Sequence, residues 1–352
     1  MRVFATSRLL SYFLLGAVIL SGCNSLVDED MSDCGEDLNL DYELQLVTNM
    51  RTEIKTELDL QADLQVATVL EDHLGEVFTD FAHDVDLSFY DTAGDMARLE
   101  HLDVTMNASQ SSYSLFIPAR PYMHTCVANL GTDPHITLED AGYCHSARLV
   151  QHPAVKDTVE AHLAGIFTAR KRMDIISGID QHFDVNLFMV NAASALVLDM
   201  TDAPDVKDLK VFLRGLADGF NIADSTYTFD TDYVVRTKLL EAEAGSTERC
   251  YASTHFPSRD IDPATKAVID IEDPDGDSYS SETLWYWEVY ARMKDGTITK
   301  STLSVHSPLH PAQLKVVKAT VHANGGLITS DHAVGATVTL DWEDAGKHDI
   351  EI

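Results

Sequence analysis

A chain of 352 residues exceeds the roughly 250–300 over which a single core keeps growing, so two domains are the starting expectation. Its 57 Asp and Glu outnumber 25 Lys and Arg, and the resulting net charge of −32 excludes nucleic acid and an anionic membrane surface as partners, since both would repel it. Aliphatic and aromatic side chains are plentiful enough for two packed cores.

At the N-terminus, Arg2 and Arg8 precede an apolar run from Leu9 to Leu20, which closes on the small residues Ser21 and Gly22 and then Cys23. This is the pattern of a bacterial lipoprotein signal segment cut before the cysteine. As a helix the run spans about 18 Å against roughly 30 Å of bilayer hydrocarbon, so residues 1–22 read as a signal peptide and not a permanent span. The mature chain is expected to begin at Cys23, whose thiol would carry covalent lipid; no other cofactor is expected. Asn24 and the acidic Asp28-Glu29-Asp30 resemble the retention-free, surface-directed start of diderm lipoproteins, which places the protein at the outer membrane, surface-exposed. Residues 23–40 are acidic and aperiodic and read as a tether that reaches about 60 Å when extended.

Strand-like alternation begins at Asp41, with Tyr42, Leu44 and Leu46 on one face. Leu70, Leu74, Val77, Phe78 and Phe81 then form one helical stripe suited to lying on a sheet. Val85, Leu87 and Phe89 alternate up to the turn Asp91-Thr92-Ala93-Gly94, and Leu102 to Met106, Tyr113 to Ile117 and Met123 to Leu130 give further strands. Val155, Val159, Leu163 and Ile166 suggest a short helix, and the domain boundary is set at the basic cluster Arg170-Lys171-Arg172. That divides the mature chain into residues 41–172 and 173–352. In the second part, Phe183 to Met189, Leu196 to Met200 and Leu209 to Leu213 alternate. Trp285, Trp287 and Val289 follow, and Lys294-Asp295-Gly296-Thr297 is a hairpin signal leading into Ile298–Val305. Ala336, Val338, Leu340 and Trp342 close the chain. Many short strands between turns, with few helices, indicate an all-β protein of two tandem β-sandwiches.

Signals for chemistry are sparse. The histidines are scattered without zinc spacing, and no catalytic constellation emerges, so no enzyme is expected. Beyond Cys23, the cysteines Cys34, Cys126, Cys144 and Cys250 allow three disulfide connectivities, with Cys126 and Cys144 the closest pair and the candidate bond. Asp273, Asp275 and Asp277 surround a Gly turn and are a weak calcium candidate, although Gly276 stands too early for an EF-hand loop. Trp285, Tyr286 and Trp287 alternate faces, which suits core packing better than a sugar platform.

Four stretches together resemble the fimbrial anchor lipoprotein family of the Bacteroidales, the anchoring subunits of type V fimbriae. They are Cys34 with the strand Leu40–Asn49; Val85–Gly94; Tyr113–Tyr122, with Arg120-Pro121 where that family has a glycine; and Gly335–Trp342 with the terminal Ile350-Glu351-Ile352. The resemblance implies transthyretin-like sandwiches and a lipoprotein that holds a fimbrial shaft to the outer membrane, with shaft or accessory subunits as partners joined through strand exchange. It also draws attention to Arg51, since precursors of the family mature at an arginine after the first strand; here retention of that strand is expected. The competing expectations are a glycan-binding surface lipoprotein of a nutrient-uptake system and a fimbrial shaft or tip subunit.

Overall fold

The computed structural model describes residues 37–46, 64–77, 84–102, 110–179, 181–240, 246–261, 283–329 and 336–341. Cys23, Cys34, Arg51, Asp273, Asp275, Asp277 and Trp342 lie outside the described residues. In chain order the first strands are β1 (Asp37–Leu46), β2 (Val85–Tyr90), β3 (Met96–Leu102), β4 (Gln110–Pro118), β5 (Pro121–Ala128), β6 (Ile136–Glu139), β7 (Arg148–Gln151) and β8 (Thr158–Val159). There follow β9 (Phe167–Asp174), β10 (His182–Met189), β11 (Ala192–Asp199), β12 (Val206–Arg214), β13 (Gly219–Asn221), β14 (Thr226–Thr228), β15 (Val234–Arg236) and β16 (Lys238–Leu240). The last are β17 (Glu248–His255), β18 (Trp285–Met293), β19 (Ile298–Val305), β20 (Leu314–Val321), β21 (Leu327–Ile328) and β22 (Ala336–Asp341). Helix α1 covers Leu64–Val77. The protein is therefore all-β, as the alternation predicts.

Seven strands form the first sheet in the order β3-β2-β5-β9-β10-β1-β4. Strand β1 lies inside it, parallel to β10 and antiparallel to β4. A five-stranded sheet, β16-β17-β11-β20-β21, and a six-stranded sheet, β22-β19-β18-β12-β15-β8, make the second sandwich. A four-stranded sheet, β14-β13-β7-β6, joins segments from both halves of the sequence.

Strand β11 shows how the layers connect. Its Ala193, Ala195 and Val197 join the first core, with α1 and the inner face of the seven-stranded sheet, while Ala192, Leu196 and Leu198 enter the second core with Trp285 and Trp287. A strand with water on neither side needs residues that are apolar or fully bonded, and Ala-Ala-Ser-Ala-Leu-Val-Leu, with Ser194 bonded to His255, supplies small ones where the helix-bearing core approaches. The stripe Leu70, Leu74 and Val77 of α1 is buried, and the helix rests on β16 and β17. A third, smaller core of Leu149, Ile166, Phe220 and Phe256 fills the space under the four-stranded sheet.

Three expectations need correction. The boundary between residues 172 and 173 falls inside β9, and the first sheet continues through β10 to Met189. The basic cluster there is a strand, with Arg170 bonded to the Ala223 carbonyl, Lys171 to the Asp184 carbonyl and Arg172 paired with Asp174 at 3.0 Å. Residues 37–40, read from the sequence as the end of the tether, belong to β1, which pairs with β4 from Asp37. The helix at Val155–Ile166 does not form: Val159 and Ile166 are buried, but Val155 and Leu163 are 59% and 54% exposed. Lys156 takes φ 53°, a left-handed turn that a helix cannot pass through, and the segment instead contributes β8.

The predicted hairpin is present. Met293 N–H donates to the Thr297 carbonyl at 2.8 Å, Gly296 N–H donates to the Met293 carbonyl at 3.0 Å, and Gly296 takes φ 91° as the turn requires. Ser307–Pro311 is the expected connection, and its Ser307 carbonyl accepts from Trp285 Nε1 at 3.0 Å.

Candidate functional site

Among the described residues, strand β12 is paired along one side, with a bulge at Lys207, and largely open on the other. It runs antiparallel to β18 from Val206 to Arg214, but β15 meets it only at Phe212 and Leu213. Beside the open part lies a cleft of about 1050 Å³, walled by β12, β15, β16 and the turn before β8. Side chains stand in for the missing strand. Thr237 Oγ1 donates to the Val211 carbonyl at 2.7 Å, Tyr251 OH to the Leu209 carbonyl at 3.4 Å, and Leu209 N–H to Asp208 Oδ1 at 2.9 Å. A sheet edge managed in this way offers a partner strand main-chain groups held by replaceable bonds.

The cleft has a sign opposite to that of the chain. Lys156, Lys210, Arg214, Arg236 and Lys300 line it, against Asp157 and Glu288. At its floor the sheet register sets Lys210 opposite Tyr290 and Tyr290 opposite Lys300, and in the next row Phe212 opposite Glu288 and Glu288 opposite Thr302. Arg214 and Lys300 are thus diagonal neighbours of Glu288, at a spacing that long side chains bridge. Lys300 Nζ meets Glu288 Oε1 at 2.8 Å, Arg214 Nε meets Oε2 at 3.3 Å, and Tyr290 OH donates to Oε2 at 3.3 Å. Burial alone would raise the Glu288 carboxyl, but Lys300 and Arg214 outweigh it and hold the group below its ordinary value. Lys300 also sits over the Tyr290 ring, 5.6 Å from its centroid.

Sequence reasoning missed this arrangement. The one signal was a glutamate between Trp287 and Val289 in an apolar strand; its partners come from β12 and β19, whose register the sequence does not display.

The residues that the sequence did single out are not brought together. Cys126, Cys144 and Cys250 are free thiols, so the expected Cys126–Cys144 bond is absent. Cys126 points into the first core from the middle of β5, whereas Cys144 sits in the loop bonded to the Asp91–Gly94 turn, its N–H donating to the Gly94 carbonyl at 2.9 Å. Burial pushes the Cys250 thiol up to about 12 and Cys126 higher still, so both act as apolar side chains. Trp285 and Trp287 are wholly buried in the second core and offer no sugar platform. Among the described residues no group of three His, Cys, Asp or Glu is arranged to hold a metal, and no helix is long and apolar enough to cross a membrane.

No family model matches the chain, and no curated protein matches it in sequence. Solved structures match it in fold. A candidate adhesin from Bacteroides ovatus, 10% identical, covers 90% of this chain and 96% of its own with a TM-score of 0.52. Another, from Bacteroides thetaiotaomicron, is 10% identical over 87% of this chain and 96% of its own, TM-score 0.50. The fimbrial anchor protein Mfa2 from Porphyromonas gingivalis is 9% identical over 74% of this chain and 80% of its own, TM-score 0.43. At such identities the likeness is one of fold.

Proposed function

We propose that this protein is a non-enzymatic outer-membrane lipoprotein that anchors a type V fimbria through strand-mediated contact with a fimbrial subunit. The adhesin character of the proteins sharing the fold supports a surface role. The observation that carries the contact is the incomplete edge of β12: a strand-wide opening with main-chain carbonyls at Leu209 and Val211, cationic walls and replaceable side-chain caps. An extended segment bearing acidic side chains fits it in shape and charge.

The position of β1 supports anchor over processed shaft subunit. Strand β4 joins the first sheet only through β1, so a chain cut near Arg51 would rely on noncovalent pairing alone to keep the lipid-bearing segment attached. Keeping β1 in the polypeptide makes Cys23 and the sandwiches one covalent body.

Two experiments test the reading. A Cys23→Ala variant is expected to appear in the medium together with fibres; a released variant that leaves the fibres on the cell would remove the anchoring role. Leu239→Trp with Lys156→Glu, both at exposed positions of the cleft, is expected to lose co-purification of fimbrial subunits from solubilised membranes. Undiminished recovery by a variant with unchanged circular dichroism would exclude the cleft as the contact.

A further inference from the structure

The hairpin between β9 and β10 displays two isoleucines that none of the described residues covers. Ile176 and Ile179 are 51% and 55% exposed on either side of Gly178, which takes φ 76° at the tip. The tip is pinned in this shape. Gln181 reaches across it, accepting from Ile176 N–H at 2.7 Å through Oε1 and donating to the Asp174 carbonyl at 3.1 Å through Nε2. At its base Ile175 is buried, and its N–H donates to the Arg120 carbonyl in the β4–β5 turn at 3.3 Å. A hairpin turn needs glycine and polar residues; it does not need two isoleucines held outward. A rigid apolar projection loses little freedom when something binds it.

Its place in the sheet indicates what that is. Strand β1 runs parallel to β10 with Asp41 beside His182, and antiparallel to β4 with Asp37 beside Pro118. The first residues of β1 therefore lie at the end of the sheet that carries both the β4–β5 and the β9–β10 turns. The polypeptide from Cys23 enters the fold at this end. The intervening fourteen residues (23–36) reach at most about 50 Å. A lipid on Cys23 thus holds this end within about 50 Å of the bilayer, and tethering raises the effective concentration of a weak contact into the range where it forms.

We infer that the β9–β10 tip is a membrane-resting foot, with Ile176 and Ile179 entering the headgroup–acyl boundary. This rests on the lipoprotein reading above. The occupant is a lipid surface of the zwitterionic kind. The nearby Arg172 is already paired with Asp174, and the net charge of −32 gives anionic headgroups no advantage. The foot fixes which face of the anchor points away from the cell, as acylation alone cannot.

The test uses the full lipidated chain in phosphatidylcholine vesicles, with a solvent-sensitive fluorophore on Ile179→Cys and, as control, on Ile328→Cys, a residue of comparable exposure (53%) in β21 of the five-stranded sheet. Cys34 is replaced by Ser; Cys126, Cys144 and Cys250 are buried. Lipid-borne quenchers at the headgroup–acyl boundary are expected to reduce emission at position 179 at least twofold more than at 328. An Ile176→Ser variant should weaken that quenching without releasing the protein from the vesicles. Equal quenching at both positions in a chain whose acylation is verified by intact mass would overturn the foot alone. An unmodified Cys23 would overturn the lipoprotein reading and the foot with it. Protection of position 179 only when a fimbrial subunit is added would replace the membrane by a protein partner.

Discussion

Two buried polar clusters in this protein solve the same problem in opposite ways. Where β10 passes into β11, Asn191, Ser194, His162 and His255 form a neutral seam. Asn191 accepts from Ile166 N–H at 3.1 Å and donates to the Ala164 carbonyl at 2.8 Å. Nδ1 of His255 contacts the Phe256 carbonyl at 2.7 Å, so it carries the proton, and Nε2 accepts from Ser194 Oγ at 2.8 Å. His162 Nε2 finds no hydrogen-bond partner, and its ring stands edge-on to Phe256 at 4.8 Å between centroids. On the six-stranded sheet, Glu288 keeps its charge, because Arg214 and Lys300 stay partly exposed (23% each) and can neutralise it at modest cost in hydration. Complete burial favours neutral groups; a cleft with water at its mouth tolerates ions.

The two clusters should therefore part company on acidification, which is the largest effect expected. Burial depresses His162 and His255 to about 3, and His124, enclosed in the first core against Phe89, to about 4. Below the ordinary value of 6.5 the unfolded chain takes up protons that the folded one refuses, so stability is full above pH 6.5 and falls as pH drops towards 4. At pH 5 each imidazole contributes about 2 kcal/mol of destabilisation, about 6 kcal/mol for the three together. Glu288 is lowered from 4.5, so its contribution is complete above pH 4.5, through most of that window, and is lost as pH falls below it. Thermal unfolding at pH 7.5 and pH 5 measures the difference; a melting temperature that does not move would end the comparison.

Glu288→Gln should cost about 3 kcal/mol at neutral pH, since it leaves two cations facing each other across the cleft floor. Denaturant unfolding would show it as a lower midpoint at unchanged slope. For the neutral seam, Asn191→Ala should cost about 2 kcal/mol through the unpaired Ile166 N–H and Ala164 carbonyl, with the pH dependence between 4 and 6.5 retained. The smallest change belongs to Asp232→Asn, whose carboxylate meets Arg214 at 3.3 Å while being 66% exposed: no more than about 0.5 kcal/mol, and less in high salt.

Local pattern carried the sequence far where one face of a strand was polar and the other apolar. The alternation in Val85–Phe89 and Phe183–Met189 and the Asp295-Gly296 turn are each visible in four to eight consecutive residues, and the structure has them. The same habit failed at Val155–Ile166, because the four apolar residues at helical spacing serve three different surroundings: Val155 and Leu163 face solvent, Val159 enters the second core and Ile166 the third. The domain boundary failed for a different reason. Strand β8 pairs with β15, and β7 with β13, across more than sixty residues of sequence, so the two halves interlock where composition shows only a basic cluster. The cleft was hidden for the same cause, since Glu288 meets its cations only through the registers of three strands.

The position of β1 also determines how the molecule would bear load. Force applied at Asp37 along the strand acts on six paired positions with β10 and nine with β4 at once. Both ladders are then sheared lengthwise, and their hydrogen bonds must fail together, whereas a strand peeled from an edge surrenders them one after another. A filament tugged by flow would thus pull against the arrangement in which a β-sheet yields last.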